Sequence, residues 1–379
     1  MSSKRSIFEE VETTAPRSTP PRGGMIDARP RGARRAVSVW LWVLFALVVA
    51  MIAVGGLTRL TDSGLAITEW APVTGMIPPL DTAAWEAELE RYRQIPEYQL
   101  QNRGMSLDEF KAIYWWEWGH RQLGRVIGLV WALGLVGFLV ARQVPPGWTG
   151  RLVLVGALGG LQGFVGWWMV SSGLEGTRLD VASYRLAVHL GLAFVILGLL
   201  AWYTFSLSRS DVALMQARRM REGRLVSLIT VLAVLAFVQI VLGALVAGID
   251  AGRNYSDWPL MAGGFLPPDP LALTPAWRNF FENDGLVQFV HRVSGYVVFA
   301  FTLFVFWRAR RSAFVATRRA FGTVLALVVL QMVLGVATVL HAAPWHIAIL
   351  HQLGAVALWV FILRARHQTA YPQSQSVRT

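Results

Sequence analysis

Eight long apolar runs dominate this sequence and leave few choices for its fold. Each run is close to the roughly 20 residues that an α-helix needs to cross the hydrocarbon core of a bilayer. With 54% hydrophobic and only 15% charged residues, the composition also indicates an all-α polytopic membrane protein. The predicted spans are residues 37–58, 119–140, 152–172, 186–206, 226–248, 286–307, 320–341 and 347–363.

The basic residues are concentrated on one side of these spans. They occur in the N-terminal tail, in the second, fourth and sixth connections, and after the last span. The positive-inside rule places that side, with both termini, in the cytoplasm. The net charge of +12 therefore reflects topology and requires no nucleic acid partner.

The segments outside the spans differ in character. Residues 1–36 are predicted to be a disordered basic tail without the pattern of a secretory signal, and residues 366–379 a short C-terminal tail. The acidic residues of the first tail argue against a mitochondrial transit peptide. On the opposite side, two long connections are predicted to form a cap. Ser106 to Glu109 has the capping-box pattern and predicts a helix that leads into Glu117.

The two halves of the chain resemble each other. The segment from Gly55 to Pro79 matches the segment around Gly243 to Pro268, with a shift of about 188 residues. An even number of spans separates the copies, which leaves them parallel. We therefore predict two pseudo-symmetric four-helix bundles, residues 37–207 and 226–365, related by an axis along the membrane normal. Other matched pairs are His120 with His291, His189 with His351, Gln162 with Gln331, and Gly166 with Gly335.

Four of the seven histidines fall at repeated positions, two in each bundle. Two imidazoles on facing helices provide what a six-coordinate haem requires, one axial nitrogen on each side of the ring. Zinc needs three or four ligands that converge on one point. The absence of cysteine excludes thiolate ligands, disulfides and iron–sulfur clusters. The pairs His120/His189 and His291/His351 are therefore predicted to bind one haem per bundle.

The remaining histidines and the neighbouring arginines are less specific. His341 and His346 flank the last turn and are expected at the interface, whereas His367 is assigned to the tail without a role. The arginines next to the ligands could pair with haem propionates or extend to the membrane interface. They are Arg121, Arg125 and Arg292.

One position distinguishes the bundles. Glu117 stands three residues before His120, whereas Gln288 stands three residues before His291. On a helix that spacing puts the acid and the imidazole on one face. A carboxyl group can move protons or stabilise developing charge, and an amide can only hydrogen-bond. The first bundle is therefore predicted to carry out chemistry, and the second to hold a haem for electron transfer or structure.

These residues also carry a family resemblance. The stretch from Gly55 to Leu65, followed by Glu69-Trp70 and Pro78-Pro79, resembles the first outer segment of haem A synthases. The resemblance covers about residues 37–365, which is essentially all but the tails. Further matching motifs are Glu117-Trp118-Gly119-His120-Arg121, Gly166 to Leu174, and Ala247 to Gly252.

The resemblance implies an activity and a set of ligands. Such enzymes oxidise the C8 methyl group of haem O to a formyl group through two hydroxylations and loss of water, which gives haem A for cytochrome oxidase. His120 and His189 would bind the substrate haem, with Glu117 essential. His291 and His351 would bind a permanent haem b.

The resemblance also implies partners and a location. A haem O synthase would supply the substrate, and an unidentified partner would accept electrons, while homo-oligomer formation stays open. Some relatives carry a cysteine pair in an outer loop, and its absence here resembles the branch of alpha-proteobacteria and mitochondria. The expected location is a bacterial inner membrane, and a mitochondrial inner membrane is the alternative.

Two other functions fit four paired histidines. A di-haem cytochrome b would pass electrons between a quinol and a partner, but this gives no reason for the difference between Glu117 and Gln288. A haem carrier or exporter would hold exchangeable haem in both bundles and form no product.

Overall fold

The computed structural model describes residues 31–176 and 178–373. Within these ranges, eight helices are long and apolar enough to cross a membrane. They are α1 (Arg31–Leu60), α2 (Leu107–Val140), α3 (Thr149–Val170), α4 (Ser183–Leu207), α5 (Gly223–Gly248), α6 (Asp284–Ala309), α7 (Val315–Leu340) and α8 (Trp345–Ala370). The repeated histidines lie on α2, α4, α6 and α8.

The eight helices form two bundles of the same design. In the first, α1 packs against α2 and α4, and α3 packs against α4; α5 to α8 repeat these contacts in the second. The bundles meet through α1, α4, α5 and α8, and α4 is the most buried span. The predicted pair of pseudo-symmetric four-helix bundles is confirmed.

Two polar bridges fasten the bundles at glycine notches. The Trp359 indole on α8 donates a 2.9 Å hydrogen bond to the Phe194 carbonyl on α4, and it packs against Gly198. Gln352, also on α8, donates a 2.7 Å bond to the Ile52 carbonyl on α1 and packs against Gly56. A side chain in place of either glycine would collide with Trp359 or Gln352, because the helix backbones approach closely at these two points.

The long connections are folded at one end of the bundles. The connection between α1 and α2 contains the helices Thr82–Arg93 and Pro96–Leu100. The connection between α5 and α6 contains Ala251–Asn254 and Asn279–Glu282. A separate apolar cluster stabilises the first of these connections, so it can hold polar side chains in place over α2. Its buried members are Leu65, Ala66, Leu89, Tyr92, Ile95, Phe110, Tyr114 and Val181.

Several helices extend beyond the predicted apolar spans. The predicted capping box is confirmed, since Ser106 N donates to Glu109 at 2.8 Å and starts α2 twelve residues before the apolar run. The helix α1 begins at Arg31, inside the predicted tail. Residues 1–30 and 374–379 of the predicted tails lie outside the described residues. Polar turns can continue a helix outside the hydrocarbon, where hydropathy does not mark them.

The assignment of His367 to the tail was wrong. Helix α8 continues to Ala370, and His367 is buried on it between the rings of Trp202, Phe205 and Tyr371. Helix α8 is polar at this end, so the span predicted from hydropathy stopped short of the end of the helix. His341 and His346 are exposed at the turn between α7 and α8, as expected.

The ends of α1 and α5 show the repeat in the backbone itself. Asp62 follows α1 with φ of 48°, and Asp250 follows α5 with φ of 53°. Aspartate is one of the few residues besides glycine that adopts this left-handed conformation readily. The same turn therefore directs the chain from α1 and from α5 into the long connection that follows each helix.

Candidate functional site

Each repeated histidine packs against a glycine of the neighbouring helix, and this glycine is called the glycine seat of that histidine. In the first bundle, His120 faces Gly55 on α1, and His189 faces Gly166 on α3. A Cβ atom added to these glycines would lie 3.1 Å from His120 Nε2 and 2.9 Å from His189 Cε1. Any larger residue at either position would press on the imidazole.

The second bundle repeats this arrangement. Added Cβ atoms on Gly243 and Gly335 would lie 3.0 Å from His291 Cε1 and 3.2 Å from His351 Cε1. In each bundle the two helices that carry the histidines pack against a shared helix, α1 in the first bundle and α5 in the second. The two histidines of each predicted pair therefore lie on helices that surround a common neighbour.

Glutamines fix two of these histidines. Gln162 Nε2 donates to the His189 carbonyl at 3.0 Å and lies 3.2 Å from its Nδ1. Gln239 Nε2 donates to the His291 carbonyl at 3.0 Å and lies 3.1 Å from its Nδ1. Sequence reasoning assigned these amides no role, although each stands four residues before a glycine seat and shares its helix face.

Glu117 is buried beneath the cap, with 3% of its surface exposed. Its carboxylate accepts hydrogen bonds from the Ile67 backbone N–H at 2.8 Å and from Arg121 Nη2 at 2.6 Å. Arg121 also donates to the Ile67 carbonyl at 2.7 Å. Charge-assisted hydrogen bonds of this carboxylate therefore anchor the segment that follows α1 to helix α2. Glu117 lies one helical turn before His120.

At the matching position of the second bundle, the buried side chain donates a hydrogen bond to the cap instead of accepting one. Gln288 is also buried, and its amide donates to the Ala251 carbonyl at 2.7 Å. Arg292 donates to the Tyr255 carbonyl at 3.0 Å. Tyr255 is the repeat counterpart of Ile67, so both arginines bind the same loop position. The caps are held alike, but the carboxylate at this position of the first bundle is replaced by an amide in the second.

The three predicted arginines bind loop carbonyls. Arg125 donates at 3.0 Å to the carbonyls of Pro72 and Ala71, and Arg292 donates at 3.0 Å to that of Leu260. Arg125 Nη1 is buried and has no hydrogen-bond partner among the described residues. That nitrogen is available to an anionic group such as a propionate.

A second cluster, missed by sequence reasoning, joins the two halves. Arg59 donates to Asp62 at 2.9 Å, to Asp180 at 3.3 Å and to Asp250 at 2.9 Å. Oxygens of the three aspartates lie within 4.8 Å of one another, a spacing that could suit a metal ion, but the guanidinium already pairs with all three. Burial raises the pKa of Asp180, and Arg59 opposes that change. The sequence feature that could have indicated this cluster is the aspartate that the repeat places at both Asp62 and Asp250.

Glu97 is a further buried acid in the cap. It is 4% exposed, and its Oε2 has no hydrogen-bond partner among the described residues. Burial, with smaller contributions from Asp180, Asp62 and Glu117, raises its pKa to about 8. The sequence showed only an acidic loop, because the burial of one acid depends on the fold of the whole cap.

The donor set fits iron porphyrin better than zinc. Each bundle offers two half-buried imidazoles, and among the described residues no further histidine or carboxylate joins either pair to form a three-ligand metal site. The glycine seats admit the rings, and the unpartnered Arg125 nitrogen can receive a carboxylate. These features suit two axial ligands and an anionic substituent.

A duplicated eight-helix membrane bundle with one half-buried histidine pair in each half defines the class of this protein. The chain belongs to the COX15-CtaA family, described as cytochrome oxidase assembly protein, whose profile matches residues 38–363. The resemblance recognised in the sequence motifs is thereby confirmed.

The relatives match over the full length. The chain is 65% identical to the heme A synthase of Dinoroseobacter shibae over 379 residues, covering 100% of this chain and 99% of that protein. It is 65% identical to the heme A synthase of Ruegeria pomeroyi over 381 residues, covering 100% of both. For the heme A synthase of Paracoccus denitrificans the identity is 59% over 375 residues, covering 99% of this chain and 98% of that protein.

Proposed function

We propose that this protein acts as a haem A synthase, oxidising the C8 methyl group of haem O to a formyl group for cytochrome oxidase assembly. Full-length identities of 59–65% to proteins named heme A synthase support this activity. The observation that carries it is the buried Glu117 carboxylate, which stands where the second histidine site has the Gln288 amide. A cytochrome that only relays electrons has no need for that difference.

The two bundles take different haems in this proposal. His120 and His189 would hold the iron of haem O, and Arg125 Nη1 would pair with a propionate. His291 and His351 would hold a resident haem b, with Arg292 on the same helix as His291. When bound, haem b supplies one-electron redox chemistry. The absence of a carboxylate at Gln288 suits a haem that is not altered.

Glu117 serves the reaction as a proton acceptor. Oxidation of a methyl group to a formyl group releases protons, and a buried carboxylate on the histidine helix is placed to receive them. Arg121 keeps the carboxylate oriented, and Ile67 covers it from the cap side. Exclusion of water strengthens these interactions.

The farnesyl chain of haem O suits a site within lipid. The concentration of basic residues on one side of the spans supports an orientation with both termini in the cytoplasm, and we propose a bacterial inner membrane as the location. A haem O synthase would deliver the substrate, and a redox partner would take the electrons.

Extraction of pigment from the expressed protein tests the proposal. With haem O supplied, the wild-type protein should yield haem A and haem b. His120→Ala should lose haem A and keep haem b, whereas His291→Ala should lose haem b. His346→Ala, at an exposed histidine, is the control and should resemble wild type. Haem b without any haem A in the wild type would favour the electron-transfer cytochrome.

A further inference from the structure

A cavity of about 300 Å³ opens between α5 and α6, at the end of the second bundle that points away from the cap. The first turn of α5 lines one side, and the last turn of α6 with the residues that follow it lines the other. A neighbouring cavity of about 310 Å³ shares Arg311 with it. The charged residues that line the first cavity are Glu222, Arg224, Arg308 and Arg311.

The arginines of this cavity have no acidic partner. Among the described residues, the side chains of Arg224, Arg308 and Arg311 form neither an ion pair nor a hydrogen bond. Glu222 is the acid in the lining, and it accepts a 2.9 Å hydrogen bond from the Ser312 hydroxyl instead. Three guanidinium groups therefore face one carboxylate, which leaves the cavity with an excess of positive charge.

Two of these arginines lie beside one indole ring. The Cζ atoms of Arg308 and Arg311 are 5.8 Å and 5.0 Å from the centroid of the Trp307 ring. Like charges held beside the same ring repel each other, so an anion between them would be stabilising.

Topology alone does not explain this group of charges. Gly137 stands at the repeat position of Arg308. Val140 stands at the repeat position of Arg311. The preference for basic residues on one side of the membrane applies to both bundles alike. The second bundle therefore carries a positive site that its counterpart lacks.

The same end of α6 presents an apolar surface to the lipid. Trp307 is 49% exposed, and Phe304 and Leu303, about one turn earlier, are 45% and 42% exposed. Tryptophan is enriched at the level of the lipid headgroups, and the apolar residues of a span lie at the level of the acyl chains. The positive cavity therefore adjoins an apolar strip on one helix.

We propose that this cavity binds the headgroup of an anionic phospholipid. Arg224, Arg308 and Arg311 pair with its phosphate, for which the planar guanidinium is suited by its paired donors. The acyl chains lie along Trp307 and Phe304. Basic pockets between membrane helices bind such headgroups on the cytoplasmic side. Because α5 supplies Arg224 and α6 supplies Arg308, the lipid joins these helices at the end opposite the cap.

Native mass spectrometry of the full-length protein in detergent, titrated with lipid, tests the proposal. Phosphatidylglycerol is the anionic probe, and phosphatidylcholine is the zwitterionic control. Wild-type protein should bind phosphatidylglycerol at least about tenfold more tightly than phosphatidylcholine. Arg308→Gln combined with Arg311→Gln should weaken phosphatidylglycerol binding by about 30-fold. Arg218→Gln combined with Arg219→Gln removes the same charge from exposed positions outside the cavity and should bind like wild type.

Equal weakening in both double variants would show that binding follows net charge alone, and would overturn the site. Equal affinity of the wild-type protein for the two lipids would do the same. Displacement of phosphatidylglycerol by an equal concentration of inorganic phosphate would assign the cavity to a free anion. Arg308→Lys combined with Arg311→Lys keeps both charges and should bind at least about tenfold more tightly than the glutamine variant. Binding as weak as that of the glutamine variant would contradict a role for these charges.

Discussion

The backbone N–H of Ile67 donates a 2.8 Å hydrogen bond to the Glu117 carboxylate across 50 residues of sequence. This bond places an acid of a membrane helix under direct control of the cap. Because Arg121 binds both the Glu117 carboxylate and the Ile67 carbonyl, the three groups form one unit. Movement of the cap would change the position of the acid.

Replacement of Glu117 by glutamine should greatly reduce haem A formation while leaving the fold and the second bundle unchanged. Glutamine retains an acceptor for the Ile67 N–H but cannot take up a proton, so haem A formation should fall by about 100-fold or more. Haem b content should stay at the wild-type level. The readouts are chromatography of extracted haems and the haem b absorbance. Undiminished haem A formation would exclude the proposed role of the acid.

Gln288→Glu is the matched exchange in the second bundle. Its carboxylate would face the carbonyl that the amide now contacts, with Ala251 as the partner. We expect lower thermal stability and no gain of activity.

The glycine seats predict a pair of contrasting alanine variants on α3. Gly166→Ala would place a methyl group 2.9 Å from His189 Cε1, so the ring must shift at a cost of about 1–3 kcal/mol. Gly163→Ala meets nothing within 4 Å and should bind haem O normally. Titration of each variant with haem O checks this. Equal affinities would show that the seat does not position the ligand.

Arg59 should be far more important for stability than the neighbouring Arg253. Its side chain is 13% exposed and pairs with three aspartates, so Arg59→Gln leaves clustered carboxylates unneutralised and should cost about 3 kcal/mol. Arg253 is 40% exposed, and Arg253→Gln should cost less than about 1 kcal/mol. Thermal unfolding in detergent compares them, and similar melting temperatures would contradict the prediction.

The buried Glu97 predicts a pH dependence of stability. Its pKa is about 8 in the folded protein against an ordinary value of 4.5. The folded state therefore retains a proton that the unfolded state loses, and the free energy of unfolding falls as pH rises from about 4.5 to about 8. Glu97→Gln should flatten the fall in melting temperature across this window. Glu86→Gln, at an exposed position, should follow the wild type. Parallel curves for all three proteins would contradict the prediction.

The spans and the placement of two repeated histidines in each bundle were predictable, because each leaves a local or repeated pattern. A bilayer requires apolar runs, and duplication placed His120 and His291 in register. The glycine seats of His189 and His351 could have been found in the same way. The repeat of Asp62 and Asp250 could also have been noticed, but their pairing with Arg59 could not, because the partners of Arg59 come from three connections that only the folded chain brings together. The burial of Glu97 likewise depends on the packing of the whole cap.

The Arg59 cluster has a consequence for how the two halves can be assembled. Ala247 stands at the repeat position of Arg59, so only the first half supplies the shielded guanidinium that bonds to both Asp62 and Asp250, while Arg253 of the second half pairs with them from a more exposed position. A homodimer of the first half would bring two copies of Arg59 into that space, and a homodimer of the second half would lack Arg59 altogether. The near-symmetric protein therefore depends on one covalent chain whose halves have become non-interchangeable at their junction.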